Sequence, residues 1–246
     1  MEVSTVQHRL SPQSQPRRPL ERTFNRRAVV AAAWASPGIV ISTGTPALAS
    51  SPAACVPQTL TADFSTTAYV RTSASSATYT WTDPYGTGVD LTLTIAASLI
   101  AGGGNIDSES LTTLAFVGTT GNTGVALSYS GRQNVAYSYS FNLPVTSVSY
   151  VLTDIDKSEA VWVTPTPASG TIANSTYLTG SGTQADPWTR SSGSVEIDNN
   201  TSNQGNVSVA YGSGLMSSFQ VVVGGGTPPN TRTVYLTSLT FTTVCP

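Results

Sequence analysis

The chain has 246 residues, with 11 basic and 13 acidic side chains, one histidine and two cysteines. Charged residues make up 10% of it, against about 25% in an ordinary globular chain, so serine, threonine, asparagine and glycine must wet most of the surface. Residues 50–246 hold only five of the basic residues against eleven acidic ones, a net charge of −6, which excludes the cationic face that nucleic acid or an anionic membrane surface would need.

Residues 1–27 carry six arginines, two glutamates and the only histidine, His8, and residues 28–49 carry no charge. A basic start, an apolar stretch and the small-residue exit Ala47-Leu48-Ala49 define a secretory signal cleaved after Ala49. The rival reading, a membrane anchor, needs about 20 mostly apolar residues. Here Ser36, Pro37, Gly38, Ser42, Thr43, Gly44, Thr45 and Pro46 interrupt the run. Arg26-Arg27 directly before Ala28-Val29-Val30 looks like a twin-arginine export signal. The string from Asn25 to Ala49, with its AAAWASP centre, resembles export signals of high-GC Gram-positive bacteria.

Residues 50–246 then form a single expected domain. Cys55 opens it and Cys245 closes it. An even pair in an exported chain predicts a disulfide joining the two ends.

Between the cysteines the chain runs in short alternating segments. Tyr79 and Trp81 share a phase, as do Val89, Leu91, Leu93 and Ile95. Val135, Tyr137, Tyr139 and Phe141 follow, then Val148, Tyr150 and Leu152, then Val207, Val209 and Tyr211, then Phe219, Val221 and Val223. Period two with one apolar face marks half-buried strands. Asp83-Pro84-Tyr85-Gly86 has the residues of a type I turn. Leu143-Pro144-Val145-Thr146 superficially matches a cell-wall sorting signal, but Ser147 follows where glycine is needed, and it reads as a strand junction. Residues 166–193 are rich in Ser, Thr and Gly and predict a long surface excursion. About ten strands are expected, in an all-β, two-sheet antiparallel sandwich of jelly-roll type, with residues 59–66 paired to residues 233–244.

The domain has no histidine, and its cysteines are expected to be oxidised. Ser-His-Asp and Cys-His catalysis and imidazole metal sites are therefore excluded. In Thr153-Asp154-Ile155-Asp156-Lys157-Ser158-Glu159 the aspartates continue the phase of Val148, Tyr150 and Leu152. Asp154, Asp156 and Glu159 are candidate oxygen ligands for a structural Ca2+, which wants six to eight oxygens. The alternative is that strand-end aspartates cap loop amides. The string Val145 to Val163, with its TDID centre, resembles one in uncharacterised secreted β-sandwich surface proteins of actinobacteria. That resemblance implies a surface location and no reaction.

Glu196-Ile197-Asp198 places two carboxylates on one strand face, similar to the Glu-x-Asp start of the motif in retaining β-sandwich glycosidases. Asn199 and Asn200 follow where that motif continues to a second glutamate. Glu196 and Asp198 are thus the alternative catalytic pair, since retaining hydrolysis needs two carboxyls about 5 Å apart. Tyr85, Trp162 and Trp188 are candidate rings for stacking on sugars. Trp162 is out of phase with Val161 and Val163, so both faces of its strand must be covered if all three are buried. Together these features favour a secreted, non-enzymatic binding or surface module, with a glycan or another cell-envelope component as partner. A carbohydrate-active enzyme and an adhesive envelope protein are the alternatives.

Overall fold

The computed structural model describes residues 55–101, 105–131, 134–156, 159–191, 202–225 and 231–245. In chain order the strands are Thr59–Thr61 (β1), Tyr69–Ser73 (β2), Ser76–Trp81 (β3), Leu91–Ala101 (β4), Asn105–Ile106 (β5), Thr113–Leu114 (β6), Gly124–Ser130 (β7), Asn134–Thr153 (β8), Glu159–Thr164 (β9), Ser169–Ile172 (β10), Leu178–Thr179 (β11), Trp188–Arg190 (β12), Val207–Ala210 (β13), Met216–Gly225 (β14) and Thr231–Thr243 (β15). The single helical element among the described residues is a 3-10 turn at Val117–Thr119. No helix among them is long and apolar enough to cross a membrane.

All pairings are antiparallel, and β8 organises them. Its first half pairs with β4 on one side and β14 on the other, with Tyr139 opposite both Ile95 and Phe219. Its second half pairs instead with β13 and β15, with Leu152 opposite Val207 and Leu236. One layer therefore runs β2-β3-β4-β8-β14-β9-β12-β11, and the other runs β10-β13-β8-β15-β7-β5. The two layers share one strand, as at a corner where a strand switches sheets through a bend or bulge. Pro144 sits at that passage, where a missing N–H is tolerated.

Two bulges retime the strands past it. Ser147 (φ 53°) and Ser238 (φ 55°) adopt the left-handed conformation. The β8–β15 register steps between Thr237 and Thr240 and again between Thr240 and Thr242. An extra residue on one strand shifts which side chains face inward. On β8 this changes the buried set from odd positions (Tyr137, Tyr139, Phe141) to even ones (Val148, Tyr150, Leu152).

The core lies between the layers. Phe219 stacks on Tyr139 beside it at 4.7 Å and on Tyr150 of the facing layer at 4.9 Å. Tyr137 donates its hydroxyl to the Ser128 carbonyl at 2.8 Å, and Tyr129 donates to the Gly224 carbonyl at 2.7 Å. Each phenol thus crosses from one layer to the backbone of the other, satisfying a buried polar group. Phe241 meets Trp81 and Phe141, both at 4.9 Å.

β1 and β15 meet as expected. β1 pairs with β15 through Thr59–Thr242, Leu60–Phe241 and Thr61–Thr240, and Cys55 and Cys245 form the disulfide. Closing a loop of 190 residues stabilises the fold by at most roughly 5 kcal/mol on the chain-entropy account.

The described part of residues 166–193 does run largely over the surface, but it is not structureless. It supplies β10, β11 and β12, and Trp188 is 0% exposed. The glycines there seat a ring: a Cβ on Gly170 or Gly182 would come within 2.4 or 2.2 Å of Trp188 Cζ2. Close approach to a large side chain, and not chain reversal alone, explains their presence.

Candidate functional site

The segment after β8 leaves the layers sharply. Asp154 is left-handed (φ 64°), a conformation that aspartate tolerates better than most residues. The turn throws Ile155 back into the core, where it is fully buried and donates its N–H to the Gly205 carbonyl at 3.2 Å. Gly205 has no room for a side chain, since a Cβ there would lie 2.9 Å from Ile155 N. Asp156 and Glu159 then close a turn: Glu159 N–H reaches the Asp156 carbonyl at 3.2 Å, and Glu159 Oε2 accepts the Asp156 N–H at 2.7 Å. Glu159 starts β9 opposite Gly225 at the end of β14.

This geometry opens a cleft of about 240 Å³ lined by Asp154, Asp156, Glu159, Thr231, Arg232, Thr233 and Tyr235. Asp154, Asp156 and Glu159 form one wall and the start of β15 forms the other. Three acidic residues, one arginine, two threonines and a tyrosine thus border the cleft.

The electrostatics are uneven. Burial pushes the Glu159 carboxyl well above its ordinary value of 4.5, and the charges of Asp154 and Asp156 push it further; the Asp156 N–H and Arg232 oppose the shift. Asp156 pairs with Arg190 at 3.4 Å, and the Arg190 side chain is only 2% exposed. The Arg190 guanidinium also lies 5.1 Å above the Tyr177 ring, a cation–π contact.

The three acidic residues expected to act together do line one cleft. Among the described residues, no three His, Cys, Asp or Glu side chains are placed to hold a metal ion. Asp156 is engaged by Arg190, and one Glu159 oxygen by a backbone amide.

The stacking expectation is corrected. Trp188 is sealed in the core at 0% exposure, and Tyr85 folds back from its turn to 6%. The turn itself forms, with Gly86 N–H on the Asp83 carbonyl at 3.2 Å. Trp162, 8% exposed, packs with Ala136 and Val222 on the face opposite Val161 and Val163, so both faces of β9 are covered. None of the three offers an open ring.

No family model, curated relative or solved structure matches the chain. Glu196 and Asp198 lie outside the described residues, as do Arg26, Arg27, Ala47 and Ala49. Thr231, Arg232, Thr233, Tyr235 and Arg190 escaped sequence reasoning. The sequence carries no local signal for them, since residues 231–235 reach the cleft only through the pairing of β15 with β8.

Proposed function

We propose that this protein is an extracellular, non-enzymatic binding module for a carbohydrate of the cell envelope or its surroundings, held in the Asp154–Tyr235 cleft. The observation that carries this reading is the cleft's mixed lining: the acidic residues Asp154, Asp156 and Glu159 on one side, and Arg232, Thr231, Thr233 and Tyr235 on the other. A sugar hydroxyl both donates and accepts, so a cleft with acidic residues on one wall and an arginine and hydroxyl-bearing residues on the other suits it. A lone anion would meet three carboxyls, and an apolar ligand would leave buried polar groups unmet. The cleft is smaller than the pockets of drug-sized ligands, which fits one or two sugar units. The export segment read at residues 1–49 and the Cys55–Cys245 disulfide support the extracellular placement.

The test is retention of the full chain on soluble and insoluble glycans, with Asp154→Asn as control. Binding by the wild type that falls at least tenfold in Asp154→Asn supports the reading. No retention on any glycan, or equal retention of the variant, removes it.

A second reading, carboxylate catalysis, is favoured by Glu159. A carboxyl whose proton affinity is raised by burial beside two other carboxyls is the arrangement of a general acid. Turnover of a glycoside panel that disappears in Glu159→Gln would support it, and turnover unchanged in that variant would exclude it.

A further inference from the structure

The loop between β6 and β7 holds an aromatic ring open to solvent. Phe116 is 67% exposed and left-handed, at φ 59° and ψ 33°. Gly118 (φ 58°) and Thr119 (φ 59°) share that conformation. A bulky residue rarely adopts it without tertiary support.

The support is visible. Val117 is fully buried. Thr120 donates both its N–H and its hydroxyl to the Val117 carbonyl, at 3.1 and 2.8 Å. Asn206 Nδ2 donates to the Gly118 carbonyl at 2.7 Å, and Asn122 Nδ2 donates to Ser238 Oγ at 2.9 Å. The ring is thus displayed from a fixed backbone.

The residues that follow Phe116 reach the strands that carry the cleft. At Gly124 a Cβ would lie 2.5 Å from Val117 Cγ2 and 3.1 Å from the Cβ of Tyr235, so Val117 and Tyr235 meet over that glycine. At Gly118 a Cβ would lie 2.6 Å from Thr153 Cγ2, and Thr153 directly precedes Asp154. The loop therefore covers the two strands that carry the cleft's walls. No ring expected to stack from sequence is open, and this one is.

We propose that Phe116 is a stacking platform at the rim of the Asp154–Tyr235 cleft, so that the site takes an oligosaccharide with one unit in the cleft and an adjoining pyranose ring laid on the phenyl face. Sugars present C–H faces that pack on aromatic rings while their hydroxyls keep hydrogen bonds at the edge. The proposal rests on the carbohydrate reading and deepens it by requiring a second sugar unit.

The probes are cello-, chito- and manno-oligosaccharides, from monosaccharide to hexasaccharide, titrated against the full chain. Phe116→Ala should weaken the best oligosaccharide about tenfold and leave its monosaccharide unchanged. Phe116→Trp should keep oligosaccharide affinity and gain an indole that this ligand shields from acrylamide quenching. Oligosaccharide affinity equal to wild type in Phe116→Ala, with loss in Asp154→Asn, overturns the platform while the cleft reading stands. Loss in Phe116→Ala with none in Asp154→Asn leaves the platform and overturns the cleft. No binding of any probe by the wild type overturns both.

Discussion

Glu159 and Asp156 hold each other twice: the Glu159 carboxyl accepts the Asp156 N–H at 2.7 Å, and the Glu159 N–H returns to the Asp156 carbonyl at 3.2 Å. The turn is closed by a carboxyl that is itself buried, and whose proton affinity is raised by that burial and by Asp154 and Asp156. A raised folded-state value stabilises the fold fully below the unfolded value of 4.5, and that contribution is lost as pH rises through the folded value. Glu159→Gln keeps the acceptor and removes the titration. Its melting temperature should therefore gain on the wild type as pH rises from about 4.5 to 8. A constant difference across that range would contradict the assignment.

The Asp156–Arg190 pair predicts a larger loss. Arg190 is buried over Tyr177, with its side chain 2% exposed. Asp156→Asn would leave that guanidinium buried without its carboxylate, which costs about 3 kcal/mol in comparable cases. In a domain of this size the melting temperature should fall by about 6–12 °C. A double change, Asp156→Leu with Arg190→Met, should recover much of it. Equal instability of the double variant would show that the pair is not what the site loses.

Two glycines separate crowding from backbone strain. Gly182 (φ 75°) has Trp188 Cζ2 at 2.2 Å from where a Cβ would sit, whereas Gly86 (φ 66°) has nothing within 4 Å. Gly86→Ala should cost only about 1 kcal/mol, the left-handed penalty. Gly182→Ala should cost at least about 3 kcal/mol, because the Trp188 ring must shift within a packed core. Chemical denaturation of the two variants reads the contrast directly.

Calcium should leave stability unchanged. A ligand at about 100 times its Kd adds roughly 2.7 kcal/mol to a fold that binds it. Added Ca2+ against EDTA should move the melting temperature by less than about one degree. A rise of several degrees would restore Asp154, Asp156 and Glu159 as a metal set.

The strands most legible in the sequence were those with one dry face. Tyr137, Tyr139 and Phe141 alternate with small polar residues, and each of the three is buried. Trp162 broke the alternation because β9 is covered on both faces. Residues 169–190 hid three short strands because Gly170 and Gly182, which read as loop, make room for Trp188. The acidic half of the cleft was legible because Asp154, Asp156 and Glu159 lie within six residues of each other. Its basic and hydroxyl half was not, because Arg232 and Tyr235 come to it only through the long-range pairing of β15 with β8, with Tyr235 opposite Thr153. Phe116 was silent for a different reason: nothing local marks it as left-handed.

The central claim is that a saccharide sits in the cleft, and backbone amide shifts read that most directly. The full chain, labelled with nitrogen-15, should be titrated with the glycan it retains best. The account predicts that the shifted amides cluster at residues 154–159 and 231–235, with a second set at 116–119. Shifts clustered elsewhere on the domain, or none at saturating ligand, would contradict it.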